Sequence, residues 1–97
     1  MPQKNADAPT ITFFHMRFCP HCLRARQLMA KLFKKHPEFK SLTIREVDEN
    51  KEAAYAKQFD YYYVPAFYVG NKKVMEGAPT YEQIKSVFEA AAQASRL

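Results

Sequence analysis

The stretch Cys19-Pro20-His21-Cys22 decides how this 97-residue chain is interpreted, because it contains the chain's only two cysteines. Apolar and aromatic residues precede it, and a segment with helical periodicity follows it. At such a strand-to-helix junction the first sulfur lies at the helix N-terminus, where free N–H groups and the helix dipole stabilise a thiolate. The second sulfur follows one turn later, close enough to form a disulfide with the first. The spacing therefore predicts reversible dithiol–disulfide chemistry.

The length and composition predict one domain. A chain of 97 residues is long enough for one hydrophobic core but not for two. We expect a flexible N-terminal segment over residues 1–9, which is polar and contains two prolines, and a single domain over residues 10–97. The sequence shows neither a signal peptide nor a stretch that would span a membrane. We therefore expect a cytoplasmic protein without a membrane partner, in a compartment where thiols stay reduced unless redox is their function.

The net charge of +5 comes largely from basic residues on one helical segment. These residues are Arg24, Arg26, Lys31, Lys34 and Lys35. No nucleic-acid recognition motif or glycine-rich loop accompanies them, so we interpret them as a solvated helix face and expect no nucleic-acid partner. A basic face near the thiols would favour thiolates and attract acidic surfaces of partner proteins.

Periodicity along the chain predicts the element order β-α-β-α-β-β-α. The predicted strands cover residues 10–17, 42–47, 66–69 and 73–75. The predicted helices begin at Pro20, at a cap on Asp48, and at a capping box formed by Thr80 and Gln83. We expect the first two strands to be parallel through a right-handed crossover and the last two to form an antiparallel hairpin. The pattern therefore predicts an α/β fold with a central four-stranded mixed sheet flanked by helices.

This order resembles that of the thioredoxin-like superfamily, and within it most closely a small glutaredoxin-like thioredoxin. The resemblance covers residues 10 to 94. Residues 18–26 are similar to the glutaredoxin pattern Cys-Pro-Tyr-Cys followed by apolar and basic residues. Residues 64–69 are similar to the family's Val-Pro segment, in which the proline is cis, and residues 77–84 resemble the entry into the final helix of thioredoxins. The resemblance implies the thioredoxin-like fold.

Some positions depart from the patterns of both families. Glutaredoxins usually have a Gly-Gly pair before the last helix, where this chain has Gly77-Ala78, and a basic residue three positions before the first cysteine, where it has Met16. Thioredoxins usually have a tryptophan at the position of Phe18 and a buried acid at the position of Phe13. Glutathione and a thioredoxin reductase therefore stay open as alternative electron donors.

The resemblance implies a role for each residue of the motif. Cys19 is expected to be the nucleophile that attacks a substrate disulfide, and Cys22 to resolve the mixed disulfide. Pro20 and His21 lie between them and are expected to tune the redox potential. A hydrogen bond or a positive charge from His21 would stabilise the Cys19 thiolate and make the disulfide more oxidising.

The resemblance also implies which residues contact the substrate. A cis peptide at Pro65 would place the Val64 backbone opposite the sulfurs, where it would pair with an extended substrate backbone. If glutathione binds, its γ-glutamyl carboxylate would contact the N–H groups of Thr80 and Tyr81. Arg17 would then approach the glycyl carboxylate.

We therefore predict a cytoplasmic, monomeric thiol–disulfide oxidoreductase that reduces protein disulfides without metal or organic cofactor. Its electrons would come from a reductase or from glutathione. The nearest alternative is a glutaredoxin that uses glutathione as co-substrate and acts on glutathionylated proteins. An alternative of a different class is a non-catalytic thioredoxin-fold adaptor or a zinc-binding module. In the zinc module Cys19, Cys22 and either His21 or His15 would be ligands, although the sequence has no second ligand pair at defined spacing.

Overall fold

The computed structural model describes residues 9–94 of the chain. The predicted flexible segment 1–9 lies outside the described residues except for its last residue, and so does the end of the predicted domain, residues 95–97. The elements are β1 (Ile11–His15), α1 (Pro20–Lys35), a 3₁₀ helix (Pro37–Ser41), β2 (Ile44–Asp48), α2 (Ala53–Ala56), β3 (Ala66–Val69), β4 (Lys72–Glu76) and α3 (Tyr81–Ala94). None of the helices within residues 9–94 is both long enough and apolar enough to cross a membrane.

The four strands form one mixed sheet in the order β2-β1-β3-β4. Strands β1 and β2 are parallel, whereas β3 is antiparallel to both β1 and β4. A parallel pair needs a crossover connection, and here α1 with the 3₁₀ helix provides it. The predicted order, the parallel first pair and the final hairpin are therefore confirmed.

Strand β1 lies in the interior of the sheet and is buried on both faces. Successive side chains of a strand point to opposite sides, so neighbouring residues of β1 enter different apolar clusters. Phe13 faces α1 and α3, and its ring stacks on that of Phe67 with centroids 4.7 Å apart. Phe14 faces the opposite side, where its ring centroid lies 4.8 Å from Phe59 and 4.7 Å from Tyr61. The sheet therefore separates two apolar clusters, and helices cover both of its faces.

Helix α1 has the predicted bounds. Pro20 occupies its first turn, where the N–H that proline lacks is not needed. The helix ends because His36 precedes Pro37, and a residue before proline avoids helical geometry. His36 accordingly has φ −136° and ψ 71°.

Three of the four strands differ in their bounds from the prediction, and the largest shifts, at the end of β1 and the start of β2, have local reasons. Strand β1 ends at His15, and the exposed residues that follow it include a turn at Arg17 and Phe18 that leads to α1. Strand β2 begins at Ile44 because Leu42 closes the preceding 3₁₀ helix, with its N–H donating to Phe39. Alternating apolar residues predict the existence of these strands but not their first or last residue.

The predicted cap of α2 on Asp48 is wrong. Helix α2 begins later, and its N-cap Glu52 makes no side-chain capping hydrogen bond. The Oδ1 atom of Asp48 instead accepts the N–H of Asn50 at 2.9 Å and that of Lys51 at 3.3 Å. Aspartate side chains form such turns with the two or three residues that follow, in competition with helix capping. The bond from Asn50 is the largest cause of the lowered pKa of Asp48.

Helix α3 begins with the predicted capping box. The N–H of Gln83 donates to Oγ1 of Thr80 at 3.2 Å, and the N–H of Thr80 donates to Oε1 of Gln83 at 3.0 Å. The two side chains thus satisfy N–H groups that the first turn of a helix leaves free. The buried residues of the helix are Ile84, Val87, Phe88 and Ala91.

We expect Phe67→Ala to lower the free energy of unfolding by about 3–5 kcal/mol, because it removes a fully buried ring and leaves a cavity beneath Phe13. Urea unfolding followed by circular dichroism measures the change. Phe18→Ala is the matched control, since its ring is exposed, and it should change stability by no more than about 0.5 kcal/mol. Equal decreases in the free energy of unfolding of the two variants would contradict the buried position of Phe67.

Candidate active site at the Cys19–Cys22 disulfide

The two cysteines form a disulfide at the N-terminus of α1, with their Cα atoms 5.1 Å apart. Cys19 is the N-cap residue, and its Sγ accepts the N–H of Cys22 at 3.1 Å. Cys19 is partly exposed, whereas only 3% of Cys22 is exposed. A substrate therefore reaches Cys19 first. A thiolate at this position would keep the N–H donor and would lie at the positive end of the helix dipole.

The Val64–Pro65 peptide lies opposite the disulfide and is cis, as predicted. The carbonyl oxygen of Val64 is 4.0 Å from Sγ of Cys19. Pro65 is buried, and its carbonyl oxygen accepts the N–H of Gly77 at 2.9 Å, which attaches this segment to the residue after β4. The fold thus brings Val64 to the sulfur of a residue 45 positions earlier in the sequence.

A cleft of about 600 Å³ opens beside the disulfide. It is lined by His15, Met16, Arg17, Phe18, Cys19, Pro20, Cys22, Leu23 and Arg26. Met16, Phe18 and Leu23 are exposed apolar side chains. Cys19, the more exposed half of the disulfide, thus borders an apolar surface that would bury an apolar side chain of a partner protein.

Phe18, immediately before Cys19, has an unusual backbone conformation. Its φ is +56°, in the left-handed region that side chains other than glycine rarely adopt. Its ring is 91% exposed, and the guanidinium of Arg17 lies 5.1 Å from the ring centroid. A strained backbone that exposes an aromatic ring next to a reactive sulfur is typical of a functional position rather than of packing.

The charges around the disulfide do not oppose a thiolate. The first turn of α1 has no acidic residue, and Arg17 lies beside the cleft. Arg26 also lines the cleft, where it forms an ion pair of 2.7 Å with Glu46 of β2. Burial, and then the charge of Arg26, lower the pKa of His15 below its ordinary value of 6.5, although nearby carboxylates act in the opposite direction. His15 is therefore mostly neutral at pH 7.

The predicted residues within the motif are accessible. Pro20 and His21 are exposed in the first turn of α1, between the two sulfurs in sequence. The imidazole of His21 is therefore accessible to a substrate. Its role in tuning the redox potential stays a prediction.

The residues predicted to contact glutathione lie in two separate parts of the structure. Arg17 lines the cleft beside Cys19, whereas Thr80 and Tyr81 begin α3. The Tyr81 ring centroid lies 5.2 Å from Nζ of Lys31. At about 1.5 Å per residue, Lys31 is about 18 Å further along α1 than Cys19. The N–H of Thr80 already donates to Gln83. These glutathione contacts stay a prediction.

The zinc alternative requires at least one ligand in addition to the two cysteines. His15 lines the same cleft as Cys19 and Cys22, and His21 lies on the exposed first turn. Within residues 9–94, no group of three or more histidine, cysteine, aspartate or glutamate side chains is placed to hold a metal ion. The described part of the chain gives no support to a zinc-binding module.

Sequence reasoning missed Glu76, the last residue of β4. Its Oε2 accepts the N–H of Tyr62 at 2.8 Å and that of Tyr63 at 2.9 Å, and its Oε1 forms an ion pair with Lys73. The hydrogen bond from Lys73 is the largest of the causes that lower the pKa of Glu76 to about 2. No motif marks a glutamate at the end of a strand, so only the packing of the chain reveals this contact.

The chain is similar in sequence and structure to thioredoxins. The model of the thioredoxin family matches residues 3–92. The structure of Fasciola hepatica thioredoxin has a TM-score of 0.65 and 18% identity, with 91% of this chain and 85% of that chain covered. Oxidised Plasmodium falciparum thioredoxin has a TM-score of 0.64 and 17% identity, with 90% and 85% covered. A thioredoxin-like protein from Clostridium perfringens has a TM-score of 0.63 and 23% identity, with 87% and 71% covered.

No curated protein sequence matches the chain significantly. At 17–23% identity, the three structures establish the fold of the chain and not its substrate. The family match and the disulfide geometry together support thiol–disulfide chemistry at this site.

We expect acid to destabilise the protein partly through His15. Because folding lowers the pKa of His15, the unfolded chain binds a proton more readily, and the free energy of unfolding should fall as the pH drops through about 6.5. His15→Gln removes this titration, so the variant should lose less stability than the native protein between about pH 7.5 and about pH 5.5. Arg26→Gln should lessen the loss in part. Urea unfolding at both pH values measures the decrease in the free energy of unfolding. If that decrease is as large in His15→Gln as in the native protein, the prediction is wrong.

Proposed function

Because the chain belongs to the thioredoxin family, we propose that it is a thiol–disulfide oxidoreductase that reduces disulfides in other proteins. The observation that supports this most directly is the placement of the two sulfurs. Cys19 is the accessible N-cap of α1, and Cys22 is buried behind it and bonded to it. One sulfur is thus available for attack, and the other can reach only its neighbour.

The proposed reaction has two exchange steps. The Cys19 thiolate attacks one sulfur of the substrate disulfide, forms a mixed disulfide and releases the other substrate sulfur as a thiolate, which takes up a proton. Cys22 then loses its proton and attacks Sγ of Cys19, which restores the Cys19–Cys22 disulfide and releases the second substrate thiol. The substrate gains two electrons and two protons, and the disulfide of the described structure is the oxidised product.

Substrate binding in this proposal uses the segment opposite the sulfurs. The carbonyl oxygen of Val64, 4.0 Å from Sγ of Cys19, is placed to accept an N–H from an extended substrate backbone. Pro65, the next residue, is buried, and its own carbonyl accepts the N–H of Gly77 at 2.9 Å, so the backbone that follows Val64 is anchored. Pro20 and His21 would adjust the stability of the thiolate, because a positive charge on His21 favours the reduced form.

We further propose that the protein works as a monomer in the cytoplasm, without metal or organic cofactor, and that a reductase protein supplies its electrons. The capping box supports a reductase over glutathione. The N–H of Thr80, which would bind the glutathione carboxylate, already donates to Gln83. The glutaredoxin alternative would require this bond to break.

We expect Cys19→Ser to reduce the rate of insulin-disulfide reduction at least about a hundredfold, because the nucleophile is lost. Cys22→Ser should still attack but should stop at the mixed disulfide, which mass spectrometry detects as a covalent adduct on Cys19. Thr43→Ser, an exposed conservative exchange in the loop before β2, is the matched control and should behave as the native protein. The catalytic proposal fails if Cys19→Ser reduces insulin as fast as the control.

The electron donor is tested by offering the oxidised protein two reducing systems in parallel. One contains NADPH and a thioredoxin reductase, and the other contains NADPH, glutathione and glutathione reductase. We expect NADPH consumption coupled to insulin reduction mainly with the first system. Faster consumption with the second would favour the glutaredoxin alternative, and Gln83→Ala, which frees the Thr80 N–H, should then increase that rate further if the start of α3 binds glutathione.

A further inference from the structure

The segment before the cis proline is held at its backbone by the end of β4. The single oxygen Oε2 of Glu76 accepts the N–H groups of Tyr62 and Tyr63 at 2.8 and 2.9 Å. The next residue, Gly77, donates its N–H to the carbonyl of Pro65 at 2.9 Å. Hydrogen bonds to a carboxylate are stronger than those between neutral groups. We call residues 61–64 the tyrosine segment.

The side chains of the tyrosine segment point in two directions. Tyr61 packs into the apolar cluster around Phe14, and its hydroxyl donates to Oε1 of Glu49 at 2.8 Å. Tyr62 and Tyr63 are 81% and 68% exposed, although their backbone N–H groups are bonded. Exposed tyrosines on a fixed backbone offer a large contact area at a low cost in side-chain entropy.

The exposed tyrosines lie close to the reactive sulfur. They precede Val64 by one and two residues, and consecutive Cα atoms are about 3.8 Å apart, so both Cα atoms lie within about 8 Å of that of Val64. The carbonyl oxygen of Val64 is in turn 4.0 Å from Sγ of Cys19. Neither tyrosine lines the cleft on the α1 side, and Tyr62 instead borders a cavity with Phe59, Tyr61 and residues of α2, so the tyrosine segment presents a surface separate from that cleft.

We propose that Glu76 is a positioning residue for substrate recognition. It fixes the tyrosine segment so that the Val64 carbonyl and the Tyr62 and Tyr63 rings contact the polypeptide around a substrate disulfide. This inference rests on the proposed function and specifies the substrate class. The preferred substrates are disulfides within extended polypeptide segments that present apolar or aromatic side chains beside the cysteine. A small disulfide reaches Cys19 without touching the tyrosines.

The charge of Glu76 makes this arrangement persistent. Lys73 and the two backbone N–H groups stabilise the carboxylate and lower its pKa from 4.5 to about 2, so it stays ionised in mildly acidic solution as well as at neutral pH. Without the carboxylate, the segment would adopt other conformations in which the N–H groups bond to water. The apparent affinity for a polypeptide substrate falls in proportion to the fraction of molecules with the segment in place.

The test compares two substrates, insulin and the small aromatic disulfide 5,5′-dithiobis(2-nitrobenzoate). For Glu76→Ala we expect KM for insulin to rise about tenfold with kcat little changed, as when about one molecule in ten keeps the segment in place. The rate with the small disulfide and the reduction potential of the Cys19–Cys22 pair should stay native. Glu76→Gln, which retains one acceptor oxygen but no charge, should be intermediate.

Two further variants separate the contacts of Glu76. Lys73→Ala removes the ion pair but keeps the carboxylate and both backbone N–H bonds, so KM for insulin should rise by less than about threefold. Tyr62→Ala combined with Tyr63→Ala leaves the backbone contacts possible but removes the rings. This double variant should raise KM for insulin and leave the rate with the small disulfide unchanged. It tests the tyrosine surface even if Glu76→Ala does not fold.

The outcomes distinguish this inference from the function on which it rests. If the native chain reduces neither substrate, the proposed function fails and the inference fails with it. If the native chain reduces both and folded Glu76→Ala or the double tyrosine variant keeps the native KM for insulin, only the inference is overturned. An equal loss with insulin and with the small disulfide would also overturn it, since that result would give Glu76 a purely structural role.

Discussion

Strand β1 is buried on both faces, and this burial fixes the positions of the elements around it. Phe13 and Phe14 occupy separate apolar clusters on opposite sides of the sheet. Close-packed interiors resist displacement of such large rings, so β1 is unable to slide relative to β2 and β3. The end of β1 at His15 then determines where the chain leaves the sheet. The position of Cys19 at the start of α1 follows from that exit point.

The cap of α1 joins helix formation to redox chemistry. Serine, threonine, aspartate and asparagine are the usual N-cap residues, because their oxygen atoms accept free N–H groups. Here Sγ of Cys19 takes that role toward the N–H of Cys22. A thiolate accepts hydrogen bonds more strongly than a disulfide sulfur does, so reduction strengthens the cap and the cap favours the reduced nucleophile. The same N–H group therefore caps the helix and would stabilise a thiolate at Cys19.

The parts of the fold that were predictable rest on local signals. Pro20 at the start of α1 and the capping box of Thr80 with Gln83 depend on residues within one helical turn, and both are found where expected. Asp48 also bonds locally, but to the turn rather than to a helix, because the two uses of an aspartate side chain compete over the same few residues. Glu76 was not predictable, since its partners Tyr62 and Tyr63 lie 14 and 13 residues away.

Local sequence was enough to indicate thiol redox chemistry for this protein. The spacing of Cys19 and Cys22 at a strand-to-helix junction is a local property, so it indicated a dithiol pair at a helix N-terminus. The Val64 carbonyl opposite the sulfur was expected from the resemblance to thioredoxins, whereas the cleft beside Phe18 and the carboxylate of Glu76 behind the tyrosine segment became apparent only in the folded structure. The physical reason is that these contacts join residues that are distant in sequence. Their positions depend on strand order and core packing, which local residue preferences do not specify.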